Sequence, residues 1–188
     1  PPAMRRAAHA PRLRYAAPAG WPRRAAELFV PLGPDAAAAE FLEAAPRASL
    51  LRTSLHRLLC GLPVDDFDVN ARLGIYPLHL LTSGQLRRLL DAAGAVTPLP
   101  RALDVGAGEG RVTAELAVHC ESLVATETSA GMARRLRQRG YDVWQEDVAE
   151  TAGARAAAGE GGFSLVAALN VLDRCAAPRS LLAAAHAL

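Results

Sequence analysis

Apolar residues recur in two different rhythms along the chain, and the rhythm changes near residue 98. Before that point they recur every three or four positions, which predicts amphipathic helices. After it, short apolar runs alternate with helical stretches, and this pattern predicts strands at 102–105, 123–126, 141–144 and 163–169. Intervening helices are predicted at 111–119, 129–138, 148–158 and 178–188. Strands separated by helices pair in parallel through right-handed crossovers, so we expect an α/β unit over residues 98–188.

The stretch before residue 98 is divided by glycine and proline into helical segments. These are predicted from about 24 to 30, at 36–45, at 48–59 and at 85–93, with Asp35 as a candidate N-cap for the second. Thr82 and Gln85 have the spacing of a capping box, in which two side chains satisfy backbone groups at the start of a helix. Residues 62–81 show no period and are predicted to be a loop. Residues 24–97 therefore form a helical extension in front of the α/β core.

Composition describes a globular protein with a local basic excess. The 188 residues are 51% hydrophobic and 21% charged, with a net charge of +2, and this near balance argues against a dedicated nucleic-acid binder. No apolar run approaches the ~18 residues of a membrane span, so we expect no integral membrane segment. Residues 1–23 are rich in arginine, alanine and proline and contain no acid. We expect a basic, disordered arm there; an organelle transit peptide has the same composition, which is compatible with an intracellular, organellar location.

Cysteine and histidine are too scattered to form a metal motif. There is no C-x-x-C pair and no cluster with zinc-ligand spacing. We expect the three cysteines to be free thiols in a reducing compartment or small buried apolar groups, and we predict no metal site. The residues concerned are Cys60, Cys120, Cys175, His9, His56, His79, His119 and His186.

The strongest motif joins the first predicted strand to the next helix, where Leu103–Gly110 reads Leu-Asp-Val-Gly-Ala-Gly-Glu-Gly. Its glycines allow positive φ and a close approach of ligand to backbone, and the helix start presents free amides. A dinucleotide fingerprint would need Gly or Ala where Arg111 stands, and Glu109 suits a pyrophosphate poorly. The loop therefore favours a cofactor with a cationic or zwitterionic tail over a nicotinamide dinucleotide. Its predicted cofactor-binding residues are Asp104, Gly106, Ala107, Gly108 and Gly110.

Acidic residues also follow the second and third strands. Glu127 is placed to accept both ribose hydroxyls of an adenosine, and Asp147 to meet an adenine amino group. Together with Asp104 they form the arrangement usual for S-adenosylmethionine, which is the cofactor that we predict. Each acid taken alone is as readily a surface or capping carboxylate.

The segment after the fourth strand, 168–175, reads Ala-Leu-Asn-Val-Leu-Asp-Arg-Cys. Asn170 and Asp173 stand three residues apart and converge if the segment makes a turn, which makes them the candidate catalytic residues. Base-amino methyltransferases carry Asn-Pro-Pro-aromatic or Asp-Pro-Pro-aromatic here; this segment has no proline before Pro178, which argues against a nucleic-acid substrate. The alternative is that Asp173 pairs with Arg174 or caps the last helix.

Three segments resemble the DREV family of methyltransferases: 103–113, 125–127 and, most specifically, 169–175. The resemblance reaches the extension at 81–90 and covers roughly residues 20–188. It implies a Rossmann-like S-adenosylmethionine-dependent methyltransferase fold. It also implies methylation of protein histidine on Nδ1, the pros nitrogen, within His-x-His sequences where x is small. By position, the resemblance assigns Asp104, Gly106, Gly108 and Glu127 to the cofactor, and Asn170 and Asp173 to the substrate imidazole.

Members of that family continue through three further strands and a segment that covers the substrate. We therefore expect the sequence to be a core truncated after its fourth strand. The expected partners are protein substrates with His-x-His motifs. Two other functions stay open: a small-molecule methyltransferase, which would share the cofactor site and differ at Asn170 and Asp173, and a truncated module that binds cofactor without catalysis.

Overall fold

A computed structural model describes residues 16–44, 50–59, 79–157, 159–160 and 162–188. The helices within these residues are α1 Arg23–Glu27, α2 Ala36–Ala44, α3 Leu50–Leu59, α4 Ser83–Ala92, α5 Arg111–Ala117, α6 Ala130–Gln138, α7 Val148–Ala157 and α8 Pro178–Ala187. The strands are β1 Ala102–Val105, β2 Leu123–Thr126, β3 Asp142–Trp144 and β4 Leu165–Ala167. The predicted alternation of strands and helices after residue 98 is confirmed. The loop predicted over 62–81 and the arm predicted over 1–23 lie largely outside the described residues.

The four strands form one parallel sheet in the order β3-β2-β1-β4. Strand β1 pairs with β2 on one side and with β4 on the other, with Leu103 opposite both Val124 and Val166. Strands β2 and β3 are therefore added on one side of β1, and the chain then crosses over to add β4 on the other side of β1. In such a sheet the loops after β1 and β4 diverge and leave a crevice at the carboxyl ends of the strands. This Rossmann-like α/β architecture confirms the predicted fold class.

Helices cover the sheet on both faces, which explains why every residue of β1 is buried. One face packs Leu103, Val124 and Trp144 against α7 and α8. The other packs Leu116 of α5 against Leu86 of α4. A strand buried on both faces is mostly apolar, and β1 and β2 each have a single polar residue among three apolar ones; both were predicted to the residue.

Two strands begin later than predicted, and backbone bonding gives the reason. The amide of Tyr141 donates to the Leu136 carbonyl at 3.2 Å and so closes the end of α6 instead of extending β3. The amide of Phe163 donates to the Leu188 carbonyl, also at 3.2 Å, so β4 starts at Leu165. The prediction of 163–169 for β4 was therefore wrong at both ends.

The first helix is also shorter than predicted, ending at Glu27 instead of near residue 30. The amide of Leu28 donates to the Arg24 carbonyl at 3.3 Å and that of Phe29 to the Ala26 carbonyl at 3.2 Å, so the last turn tightens and ends. The ring of Phe29 then lies edge-on to Trp21.

The predicted capping box at the start of α4 is confirmed. The Thr82 hydroxyl accepts from the Gln85 amide at 3.1 Å, and the Gln85 side-chain oxygen accepts from the Thr82 amide at 3.0 Å. The same two residues reach the extension: the Thr82 hydroxyl donates to Asp35, and the Gln85 side chain donates to the Gly33 carbonyl. Asp35 accepts from the Ala38 amide at 2.9 Å and so caps α2, as predicted. The start of α4 thus attaches the extension to the core.

Candidate functional site

The glycine loop between β1 and α5 contains three residues in the left-handed region. Gly106, Gly108 and Gly110 have φ of 68°, 57° and 82°. A Cβ atom at Gly106 would lie 2.7 Å from Cγ2 of Val171, and one at Gly110 would lie 2.7 Å from Cδ2 of Leu136. At Gly108 a Cβ would meet no atom of the described part of the chain within 4 Å, its two neighbours in sequence apart. The outer glycines are therefore required by packing, whereas the middle one faces open space from which a ligand can approach the backbone.

The end of β2 holds the first three amides of this loop. The Gly106 amide donates to the Thr126 hydroxyl at 3.3 Å, the Ala107 amide to the Thr126 carbonyl at 3.0 Å, and the Gly108 amide to Oε2 of Glu127 at 2.9 Å. The second carboxylate oxygen of Glu127 accepts from the Ser129 amide at 2.9 Å. The structure thus brings Glu127 directly against the loop with which the sequence grouped it.

Asp104 lies inside the protein, beneath the loop. Its side chain accepts a hydrogen bond from the Thr113 hydroxyl at 2.7 Å, and the residue is 3% exposed. Burial raises the pKa of Asp104 to about 6; the hydrogen bond from Thr113 opposes this rise and the charge of Glu127 adds to it. The carboxyl ties β1 to the first turn of α5 and so fixes the loop from below.

Asp147 and Glu109 occupy the rim of the same edge of the sheet. Asp147 is exposed after β3, and its Oδ1 accepts from the Ala149 amide at 2.9 Å, which caps α7. Glu109 pairs with Arg111 at 2.6 Å between Oε1 and Nε. The capping role that the sequence left open for Asp147 is present, and its carboxylate remains accessible.

Asn170 and Asp173 lie on one turn that packs against the glycine loop. Asn170 has φ of 61°, which is uncommon for any residue except glycine but is tolerated by asparagine. The amides of Arg174 and Cys175 both donate to the Val171 carbonyl, and this bonding closes the turn. Because the Val171 side chain sits over Gly106, the turn and the loop meet at the carboxyl ends of β1 and β4.

The Asp173 side chain is 67% exposed, and its Oδ2 lies 3.7 Å from Nε of Arg174. The pairing that the sequence left open as an alternative is therefore present. At this exposure such a pair is weak and leaves the carboxylate available. Asp173 does not cap the last helix, which was the other alternative: the N-cap of α8 is Ala177, and no side chain of the described residues caps that helix.

The sequence model of the DREV methyltransferase family matches residues 15–188, nearly the whole chain. The chain belongs to the DREV methyltransferase family. Among solved structures it is similar to the 23S rRNA methyltransferase ErmE, with 24% identity over 39% of this chain and a TM-score of 0.31. It is also similar to a putative caffeoyl-CoA O-methyltransferase from Staphylococcus aureus, with 11% identity over 63% of this chain and a TM-score of 0.38. The chain spans 32% and 59% of the lengths of those two proteins.

Three residues of this DREV protein act at the site without having been predicted. Val171 joins the turn to the loop, Thr113 holds Asp104, and Thr126 holds the Gly106 amide. Thr113 and Thr126 lie in two of the segments that resemble the DREV family, and this was the signal available for them. Val171 lies in the third such segment, 169–175, but an apolar residue beside a predicted strand is ordinarily assigned to the core.

A cavity of about 360 Å³ lies beside the DREV core, on the outer side of α5. It is lined by Phe41 and residues 79–81 of the extension together with Arg111, Glu115 and Arg139, and it contains none of the predicted site residues. The predicted site residues lie instead at the edge of the sheet where the parallel strands end. Among the described residues there is no group of three or more His, Cys, Asp or Glu placed to hold a metal ion. No helix in this part of the chain is long and apolar enough to cross a membrane.

Proposed function

We propose that this DREV methyltransferase uses S-adenosylmethionine and methylates protein histidine on Nδ1 within His-x-His sequences. The fit of the cofactor is supported by the open face of Gly108 and by the carboxylate of Glu127 beside it. Asp147 stands exposed after the neighbouring strand, where an adenine amino group would find an acceptor. When bound, the cofactor supplies an electrophilic methyl group.

The observation that carries the proposal is the contact between the glycine loop and the turn over Asn170–Cys175. A Cβ at Gly106 would overlap Val171, so the turn lies as close to the loop as a glycine allows. Asn170 is held in the left-handed region within that turn. Residues kept in sparsely populated conformations cluster at functional sites, where the surrounding structure enforces them.

The protein has to direct the methyl group to one of the two imidazole nitrogen atoms. A neutral imidazole is already nucleophilic near pH 7, because its pKa is about 6.5. We infer that the Asp173 carboxylate accepts the Nε2–H of the substrate histidine, which leaves the lone pair on Nδ1 free to react. The same carboxylate stabilises the positive charge that develops on the ring. Asn170 then orients the ring or the substrate backbone.

The test is turnover of a His-x-His peptide by the full-length protein and its Asp173→Asn variant, with the methylated nitrogen identified in the product. We expect the variant to retain affinity for S-adenosylhomocysteine and to lose most of its turnover. The matched control is Arg174→Gln, which removes the partner of Asp173 and leaves the carboxylate in place. It should turn over like the wild type.

Two results would be decisive. Residual product methylated on Nε2 in Asp173→Asn would tie this residue to the choice of nitrogen. Normal turnover in that variant, or equal losses in both variants, would reduce Asp173 to a partner of Arg174. A panel of small metabolites assayed in parallel would reveal a small-molecule methyltransferase, and calorimetry with S-adenosylhomocysteine would reveal a module that binds without turnover.

A further inference from the structure

Two residues at the end of β2, Thr126 and Glu127, together hold three consecutive amides of the glycine loop. We refer to these two residues as the clasp. Thr126 is 2% exposed, so its hydroxyl is fixed inside the protein. Glu127 uses one carboxylate oxygen for Gly108 and the other for Ser129. Both side chains of the clasp thus accept hydrogen bonds from backbone amides.

The loop needs such a restraint most at Gly108. Gly106 is packed against Val171 and Gly110 against Leu136, whereas no atom of the described residues, chain neighbours apart, lies within 4 Å of where a Cβ at Gly108 would stand. Glycine loses more conformational freedom on ordering than any other residue. The hydrogen bond from the Gly108 amide to Glu127 opposes that loss at the position where a ligand would meet the backbone.

We propose that Thr126 and Glu127 are positioning residues that set the shape of the glycine loop before the cofactor binds. This inference rests on the proposed use of S-adenosylmethionine. A carboxylate has about four lone pairs, so accepting two amides leaves capacity for the ribose hydroxyls. Glu127 then contributes to cofactor affinity twice, through the ribose and through the loop. A side chain that only bound the ribose would contribute once.

The two contributions separate when the ribose hydroxyls are removed from the ligand. Calorimetry is performed on the full chain with S-adenosylhomocysteine and with its analogue that lacks both ribose hydroxyls. We expect Glu127→Ala to bind even the analogue about threefold to tenfold more weakly than the wild type does, since the lost amide hydrogen bond has nothing to do with the ribose. Glu127→Gln, which keeps one acceptor oxygen, should be intermediate.

Thr126→Val removes the hydroxyl and keeps the shape of the side chain. It should weaken binding of both ligands by the same factor. The control is Ser122→Ala, which removes a hydroxyl that donates to the Pro100 carbonyl next to the opposite end of β2. That variant should bind both ligands like the wild type.

Amide hydrogen exchange measured by NMR without ligand provides a second readout. Exchange should become faster at Gly108 in Glu127→Ala and at Gly106 in Thr126→Val, while the core amide of Leu103 keeps its rate. General destabilisation would accelerate all three. Two results would contradict a positioning role for the clasp: unchanged exchange rates at Gly106 and Gly108 in the variants, or wild-type affinity of Glu127→Ala for the analogue. Failure of the wild type to bind S-adenosylhomocysteine would instead refute the cofactor assignment. The exchange measurement would still show whether the clasp orders the glycine loop.

Discussion

Gly108 and Gly110 share a backbone conformation and differ in their surroundings, so alanine at each separates binding from folding. Both have positive φ, and an L-residue there costs roughly 1–2 kcal/mol. At Gly108 we expect this to be the whole cost, because among the residues that the structure describes none but its chain neighbours comes within 4 Å of the added methyl group. At Gly110 the methyl group would lie 2.7 Å from Cδ2 of Leu136, which is completely buried. Overpacking of this kind costs about 1–3 kcal/mol more.

We therefore expect Gly108→Ala to lose about 1–2 kcal/mol of unfolding free energy and Gly110→Ala about 2–5 kcal/mol. Urea unfolding followed by circular dichroism measures both. Calorimetry with S-adenosylhomocysteine should rank the two variants the other way round. Gly108→Ala should fold but bind no ligand, because its methyl group occupies the space through which the ligand reaches the backbone. Gly140→Ala is the control, since Gly140 also has positive φ (90°) and open surroundings but lies outside the loop.

The reasoning fails if the two loop variants lose equal stability, because contact with Leu136 would then contribute nothing. It fails separately if Gly108→Ala binds S-adenosylhomocysteine like the wild type. In that case the open face of Gly108 is not the face that receives the cofactor. Weak binding in Gly140→Ala would show that strain at any turn, and not the space above Gly108, had caused the loss.

Two further predictions concern stability. Burial raises the pKa of Asp104 to about 6, so between pH 4 and pH 6 the folded protein keeps a proton that the unfolded chain has released. The free energy of unfolding should therefore fall as the pH rises from 4 to 6, by about 3 kcal/mol at most. Urea unfolding across that range should show this fall in the wild type and not in Asp104→Asn. Thr82→Ala removes the N-cap of α4 and the contact with Asp35, and should cost about 1–2 kcal/mol in thermal unfolding. Thr82→Ser keeps the hydroxyl and should cost far less; equal losses would exclude the capping role.

The strands that could be predicted to the residue are those whose ends are set locally. Strands β1 and β2 are short, mostly apolar segments, and Gly106 and Glu127 follow them directly. The start of β4 depends instead on the carbonyl of Leu188, which binds the Phe163 amide from the far end of the domain. No local pattern encodes a partner that distant, so the strand appeared longer in the sequence than it is.

The same distinction applies to the site. The sequence placed the glycine loop, Glu127 and the turn over 170–175 at one edge of the sheet, because parallel strands end together. It could not show that Val171 seats the turn on Gly106, because that contact joins two loops through an apolar side chain. Nor could it show that Glu127 accepts the Gly108 amide, since hydrogen-bond partners are fixed by side-chain direction and not by order along the chain.

Three carboxylates at the site occupy three different environments, and these environments separate their roles. Asp104 is buried against Thr113, and its raised pKa shows that ionisation is costly there, so it serves the fold beneath the loop. Glu127 accepts two backbone amides and faces the loop, which suits a group that binds and positions a cofactor. Asp173 is the exposed one, with only a weak ion pair. Among these three it is therefore the carboxylate that we propose for the substrate, because a contact with it leaves the hydrogen bonds that support the loop in place.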